Sequence, residues 1–505
     1  MIRALPPIVA RAAGYGGRTA VIDRGRTFSY TDLDGASARI ASRLLRTTRD
    51  QRDLHEARVA FLIAPGFEHV AVQWGIWRAG GIAVPMPVSH PPAELDYLVR
   101  DAEASIAIAD ESNAPVVSTL ARSCGATFWT CAELFSADLV EGKASTGIEG
   151  FSPSRRAMIV YTSGTTNRPK GVVTTHANIA AQIESLIHAW EWSAGDRTLL
   201  VLPLHHVHGI INVVGCALWS GAVLEMMPKF ESESTWDRLA SGELTVFTAV
   251  PTIYHRLIQS WDAASPDVQQ GRSNGARAMR LMMSGSAALP RLVLDRWLQI
   301  TGHLLLERYG MTEVGMALSN PLRGERRPGF VGQPLPGLSA RLVDGELQLR
   351  GPNVFSEYWK HPDLTQESFV DGWFRTGDIA VVEEGAYRLL GRSSVDIIKS
   401  GGDKISALEI EEVLRTHPAV VECAVVGVQD LEWGQRVCCA VEVRAGYSLE
   451  LDDLREWAKT RLAPHKIPKH LACVAQLPRN AMGKVVKPAV TTLFAPPAPP
   501  GRQEP

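Results

Sequence analysis

Short apolar runs alternate along the chain with segments whose apolar positions recur at helical spacing. Phe28-Ser29-Tyr30-Thr31-Asp32-Leu33 reads as a strand end feeding a helix, with Ser29 or Thr31 as cap and Leu33, Ala36, Ile40 and Leu44 on one face. Val59-Ala60-Phe61-Leu62-Ile63 predicts a buried strand, punctuated by Ala64-Pro65-Gly66 before a helix over 67–79. Gly80-Gly81 ends that helix, Ile82-Ala83-Val84-Pro85-Met86 follows as a strand, and a helix over 92–102 leads into Ile106-Ala107-Ile108-Ala109. Alternation of this kind predicts parallel α/β units. It continues through strands at 157–160, 199–202, 221–227, 246–250, 280–283 and 304–306, a helix over 176–190, and another opened by Pro251. The polar stretches 144–156 and 266–275 read as loops, the second as an exposed connection.

From Arg326-Arg327-Pro328-Gly329 the texture changes. A hairpin is predicted over 339–350 with Asp344-Gly345 as its turn, and Glu384-Gly385 marks a second turn between 379–382 and 387–390. A boundary falls near Gly391-Arg392-Ser393-Ser394. Beyond it, helices over 408–415 and 454–462 and strands over 420–428 and 437–443 predict a compact α+β module, with a breaker region at Pro464, His465 and Pro468. Residues 495–505 read as disordered.

A chain of 505 residues, 45% hydrophobic, exceeds one ordinary core, so two or more domains are expected. A formal net charge of −2 gives no reason to expect nucleic acid or an anionic membrane as partner, while a locally basic pocket for a small anion stays open. The 7 cysteines are odd in number and lack CxxC spacing, which argues against a disulfide framework or a zinc site. No apolar run reaches membrane-spanning length. Residues 1–18 hold Arg3, Arg11 and Arg18 without an acidic residue; a plain strand or helix is preferred there over a transit peptide. The cytoplasm is the expected location, with mitochondrial or other organellar import left open.

Candidate chemistry gathers in polar stretches beyond the apparent strands. Tyr161-Thr162-Ser163-Gly164-Thr165-Thr166-Asn167-Arg168-Pro169-Lys170-Gly171, between strand 157–160 and helix 176–190, is expected as a strand-to-helix loop. Hydroxyls, glycines and a lysine suit phosphate oxygens, which need donors at many angles. No Gly-Lys-Ser/Thr closes it, so it is not the usual P-loop, and a polar surface turn is the plain alternative. His205, His206 and His208 have poor spacing for one metal and suit a substrate pocket better. Arg256 offers a planar fork to a substrate anion, with a surface arginine as its alternative. The small-residue run Ser284-Gly285-Ser286-Ala287-Ala288 can pass beneath a flat ligand. In Glu307-Arg308-Tyr309-Gly310-Met311-Thr312-Glu313, Tyr309 suits a base, Thr312 a phosphate and Glu313 Mg²⁺. Asp378 suits two sugar hydroxyls or a buried turn, and Lys484 by composition alone is a solvated lysine.

In this order, Tyr161 to Gly171, Glu307 to Glu313, Thr376-Gly377-Asp378, Gly391-Arg392 and Pro478 to Lys484 resemble the adenylate-forming family of acyl-CoA synthetases, aryl-CoA ligases, luciferases and peptide-synthetase adenylation domains. The resemblance covers about 27–487. It implies an α/β and α+β architecture: a large N-terminal ATP- and acid-binding domain with mixed sheets over 1–391, a hinge at 392–396, and a small mobile C-terminal domain over 397–505. By resemblance, Thr162, Ser163, Gly164, Thr165, Thr166 and Lys170 form the ATP-phosphate loop. Gly285, Ser286, Ala287 and Tyr309 form the adenine pocket, and Asp378 and Arg392 the ribose pair. Thr312 meets phosphate, Glu313 meets Mg²⁺, and Lys484 reaches the substrate carboxylate and α-phosphate. Gly401 and Gly402 resemble the glycine-rich segment near the CoA thiol path. Many relatives carry Asp or Lys two residues after the junction arginine; Ser394 stands there, and the spacing from Arg392 to Lys399 is one residue longer, so the hinge is narrowed only to Ser394–Asp396.

More narrowly, Leu202 to Gly209, Ala249 to Tyr254, Ser284 to Leu289, Leu305 to Met316, Ser394 to Gly402 and Trp433 to Val437 resemble malonyl-CoA synthetases of the animal mitochondrial and plant branch. Malonate or methylmalonate is the implied acid, ATP and CoA the co-substrates. A second substrate carboxylate requires a cation when buried. Arg256 is the first choice for it, then Arg308, with His208 shaping the pocket. The alternatives are a short-monocarboxylate ligase, an enzyme loading a separate carrier protein, and a nonenzymatic ATP-binding protein.

Overall fold

The computed structural model describes residues 3–47, 51–136, 147–162, 168–400, 403–479 and 485–494. Ser163, Gly164, Thr165, Thr166, Gly401, Gly402 and Lys484, together with the expected disordered run 495–505, lie outside the described residues. The chain forms two compact units, one of Met1–Leu289, Val293–Ala340 and Leu349–Phe374, the other of Pro290–Leu292, Arg341–Gln348 and Arg375–Pro505. The junction expected at 392–396 lies within the second unit.

Among the described residues the first unit holds a seven-stranded and a nine-stranded sheet. The first runs Glu357–Tyr358, Lys170–Thr175, Arg156–Thr162, Ile82–Pro85, Arg58–Leu62, Ile106–Ala109, Thr127–Thr130. The second centres on Leu281–Ser284, Val246–Ala249, Arg197–Leu200, Val223–Met226 and Thr19–Asp23, all parallel, with antiparallel strands at both ends. The central strands are apolar on both faces because helices cover both, as in Ile106–Ala109, where every residue is buried. Ser29, not Thr31, caps helix Tyr30–Leu45: its hydroxyl accepts from Asp32 N, and Asp32 accepts from Ser29 N at 2.8 Å. No described helix is long and apolar enough to cross a membrane.

Three sequence expectations are corrected. The stretch after Arg156–Thr162 does not feed a helix directly; a second strand, Lys170–Thr175, returns antiparallel to it and helix His176–Trp190 follows. The β-branched run Val172-Val173-Thr174-Thr175 favours that strand. Residues 266–275 are not an exposed connection but most of helix Pro266–Arg277. Its composition is polar, yet Arg272 is buried on Ser260 and Glu233, and Trp261 donates to Gln269 O and Ser273 Oγ, both at 3.1 Å. Finally, Glu307 to Met311 is itself strand, Leu306–Met311, so only the residues just beyond it form a turn before Gly315–Ser319.

In the second unit Ala386–Arg392 returns along residues 378–383 with Asp378 opposite Arg392, and the turn residues Glu384 (φ 52°) and Gly385 (φ 79°) match a type I′ hairpin. A further sheet orders Asp403–Ser406, Ile397–Ser400, Gly434–Val443 and Val420–Asp430, with His470–Val474 parallel to Gly434–Val443. Ile410 and Leu414 of helix Ala407–Leu414 and Leu454 and Ala458 of helix Leu451–Lys459 enter its core.

Candidate active site

In the first unit, the chain leaves strand Arg197–Leu200 and enters a π-helical turn, His208–Val213. Gly209 lets that turn close, since a Cβ there would lie 2.5 Å from Pro203 O. His208 is buried, with Nδ1 3.1 Å from Ser286 Oγ and Nε2 2.9 Å from Thr248 Oγ1. Arg308, 3% exposed, donates Nη2–H to His208 Nε2. With Nε2 accepting, the imidazole proton falls on Nδ1, toward Ser286. Burial, and then Arg308, hold His208 well below the usual histidine pKa, so it is neutral.

Gly285 makes room for the guanidinium: a Cβ there would lie 2.0 Å from Arg308 Nη1. Ser286 turns the loop with a left-handed φ of 69°. Burial pulls Arg308 down to about 9, which still leaves it charged at neutral pH. Its Nε and Nη1 have no hydrogen-bond partner among the described residues. A buried cation with two undirected donors is costly without an anion. Tyr254 closes the neighbourhood by donating to Met283 O at 2.7 Å. Arg256 is exposed on the same helix, Pro251–Asp262, opposite the buried Ile253, Tyr254, Leu257 and Ile258. The structure thus brings Arg308, His208, Gly285 and Ser286 together and leaves Arg256 outside that cluster.

A second cluster in this unit gathers at Glu313. Lys170 stands opposite Thr162 in the hairpin, so the ends of the candidate phosphate loop are held side by side. The Lys170 ammonium lies 5.9 Å from the ring centroid of Tyr358, whose hydroxyl donates to Glu313 Oε1 at 2.8 Å. Glu313 is buried, and its carbonyl accepts from Phe355 N at 2.7 Å. Thr312 precedes it, half-buried, and Tyr309 is buried on the adjoining strand. Ala287 is exposed beside Ser286. Sequence reasoning missed Thr248 and Tyr358. Thr248 is one residue in an apolar strand, and Tyr358 sits on the two-residue strand Glu357–Tyr358, too short to carry a periodic signal.

In the second unit, Arg392 Nε donates to Asp378 Oδ1 at 3.2 Å. Asp378 is buried and its N–H donates to Thr376 Oγ1 at 3.0 Å, which presents the carboxylate at a strand position. Ser394 is exposed, and Asp396 is half-buried, accepting from Arg392 N at 3.0 Å.

The model of the AMP-binding enzyme family matches residues 8–359, and that of the AMP-binding enzyme C-terminal domain matches 409–484. The chain is 42% identical to the mitochondrial malonate–CoA ligase ACSF3 of Homo sapiens, covering 97% of this chain and 92% of that protein. It is 41% identical to a malonate–CoA ligase of Arabidopsis thaliana over 93% of this chain and 85% of that one. Among solved structures, ATP-bound MatB from Rhodopseudomonas palustris superposes with a TM-score of 0.88 at 32% identity, covering 97% and 99% of the two chains.

Proposed function

Since the chain belongs to the AMP-binding enzyme family, we propose that it is an AMP-forming malonate–CoA ligase. In the first half-reaction a malonate carboxylate oxygen attacks the α-phosphorus of ATP, forming an O–P bond and releasing pyrophosphate. In the second, the CoA thiolate attacks the acyl carbonyl of malonyl adenylate, and AMP leaves with the bridging oxygen.

The observation that carries the dicarboxylate reading is the buried Arg308, whose Nε and Nη1 lack partners among the described residues. The distal carboxylate of malonate supplies the missing anion, accepting hydrogen bonds that the planar guanidinium donates. A neutral His208 keeps the guanidinium as the only charge in the His208–Arg308 pair, and Gly285 gives it space. Arg256 remains a second candidate reader on the flanking helix. Methylmalonate, which keeps both carboxylates, is proposed as an alternative acid.

For ATP, we assign the phosphates to Thr162, Ser163, Gly164, Thr165, Thr166, Lys170 and Thr312, and the adenine to Gly285, Ser286, Ala287 and Tyr309. The ribose hydroxyls go to Asp378 and Arg392, and Lys484 meets the attacking carboxylate and α-phosphate. Glu313 fits a magnesium nucleotide: a buried carboxylate, with no cluster of three or more metal-ligating side chains among the described residues, suits a cation held mainly by phosphate oxygens. Mg²⁺ bound there supplies positive charge to the phosphates during displacement. Gly401 and Gly402 are proposed for the thiol path, and Ser394 to Asp396 for the hinge between half-reactions. The proposed compartment is the cytoplasm, with organellar import as the alternative that cell fractionation separates.

The test is a thioester assay with ATP, Mg²⁺ and CoA in which malonate, methylmalonate, succinate, acetate and propionate compete side by side. Malonyl-CoA as the favoured product, identified by mass, is expected. Preference for acetate or propionate overturns the substrate assignment, and AMP release without a CoA product redirects it to a carrier-protein thiol.

A further inference from the structure

Tyr358, 8% exposed on the short strand Glu357–Tyr358, meets two of the residues assigned to the nucleotide. Its hydroxyl donates to Glu313 Oε1 at 2.8 Å. The Lys170 ammonium lies 5.9 Å from its ring centroid, within range of a cation–π contact. The backbone around Tyr358 is tied to the same two neighbours. Phe355 N donates to Glu313 O at 2.7 Å. Ser356 N donates to Val173 O at 3.0 Å and Trp359 N to Gly171 O at 2.8 Å, so the segment runs antiparallel to Lys170–Thr175 with Tyr358 opposite Val172. The two-residue period of a strand puts Lys170 and Val172 on one face, which is the face Tyr358 shares.

A buried phenol needs an acceptor, and a backbone carbonyl is enough. Tyr30 and Tyr254 are satisfied that way, by Ala222 O and Met283 O, both at 2.7 Å. Tyr358 directs its donor to the carboxylate of Glu313, which is 7% exposed. A buried carboxylate is costly to keep ionised without donors, and a hydrogen bond to the ionised form favours it. A carboxylate has about four lone-pair sites, so one phenol bond orients the group and leaves it able to ligate. The ring is rigid, with the carboxylate at its hydroxyl and the ammonium at its face. It sets the spacing between a candidate metal ligand and a candidate phosphate cation, a task that a carbonyl-bonded tyrosine does not perform.

We propose that Tyr358 is a positioning residue for the magnesium nucleotide. Its hydroxyl fixes the Glu313 carboxylate, and its ring and strand hold that carboxylate in register with Lys170. The inference rests on the reading given above, in which Glu313 meets Mg²⁺ and Lys170 meets phosphate. Removing the hydroxyl while keeping the ring separates the two contacts: the Glu313 bond is lost and the Lys170 contact stays.

The experiment measures ATP affinity of the full chain by calorimetry, without malonate, once in excess Mg²⁺ and once in EDTA. The parent is expected to bind ATP more tightly with Mg²⁺. Tyr358→Phe is expected to weaken binding in Mg²⁺ by about 10-fold, the scale for losing a partner that orients a metal ligand, and to leave binding in EDTA within a few-fold of the parent. Glu313→Gln is expected to lose the same metal-dependent gain, and adding Tyr358→Phe to it is expected to change little, because the two groups act as one unit. Thermal melts accompany each variant. Equal weakening with and without Mg²⁺, no weakening in either, additive losses in the double variant, or a Tyr358→Phe chain that does not fold makes the hydroxyl a support of the fold and overturns the proposal alone. A parent without a metal-dependent gain, or a Glu313→Gln variant that keeps it, overturns the magnesium assignment and the proposal with it. The thioester assay above judges the ligase reading separately.

Discussion

Arg308 is a cation whose value depends on what meets it. Among the described residues its neighbour is a neutral histidine, and two of its nitrogens have no partner. Arg308→Met is expected to lower kcat/KM for malonate by about 2–4 kcal/mol, roughly 30- to 1,000-fold, and that for acetate much less. Steady-state kinetics with both acids checks this, and equal losses reject the assignment. Arg256→Ala, run beside it, tells which arginine reads the acid. Gly285→Ala probes the same site from the backbone. A methyl group 2.0 Å from Nη1 and 2.9 Å from Arg308 O displaces the guanidinium, so malonate use is expected to fall and the thermal midpoint to drop with it. The resemblance put Arg308 inside the ATP motifs and favoured Arg256 because it lies outside them; burial, which residue type does not reveal, separates the two, since Arg308 enters the core from strand Leu306–Met311 and Arg256 is exposed on its helix. The Lys484→Ala variant is expected to lose pyrophosphate release and keep its folded circular-dichroism spectrum.

At the scale of elements, most parallel strands of the first unit were legible because they are unbroken apolar runs between breakers, as in Ile106–Ala109, whereas Thr19–Asp23 and Thr127–Thr130, whose ends are polar, were not. The hairpin strand Lys170–Thr175 was not, since its β-branched run abuts helix His176–Trp190 without a breaker between them. Helix Pro266–Arg277 was hidden by composition: polar side chains make its inward contacts, so no apolar stripe marks it. The π-helical turn His208–Val213 had a signal only in retrospect, a glycine next to a candidate histidine. Its geometry depends on that glycine. Gly209→Ala, with a Cβ 2.5 Å from Pro203 O, is expected to cost about 1–3 kcal/mol in urea unfolding and to lower activity by shifting His208. An unchanged midpoint and unchanged kinetics contradict that reading of the turn.

Across the whole molecule, burial of neutral histidines sets an acid limit on stability. Desolvation lowers His69 to about 4, His176 to about 3 and His206 to about 4, and holds His208 far below its usual value. Each has a folded pKa below its unfolded one, near 6.5. Between the two, the unfolded chain binds protons that the folded chain refuses. The stabilisation is therefore complete above about pH 6.5 and is lost as pH falls, at about 1.4 kcal/mol per pH unit for each histidine. Denaturant titrations at pH 7.5 and 5.5 are expected to show a marked loss at the lower pH, and equal midpoints contradict it. The central claim is that malonate is activated through its own carboxylate oxygen as an adenylate. It is tested most directly with malonate labelled with ¹⁸O in its carboxylates, ATP, Mg²⁺ and CoA, followed by mass analysis of both products. Malonyl-CoA together with AMP carrying one ¹⁸O is the result expected. Unlabelled AMP, or label appearing in inorganic phosphate alongside ADP, contradicts it.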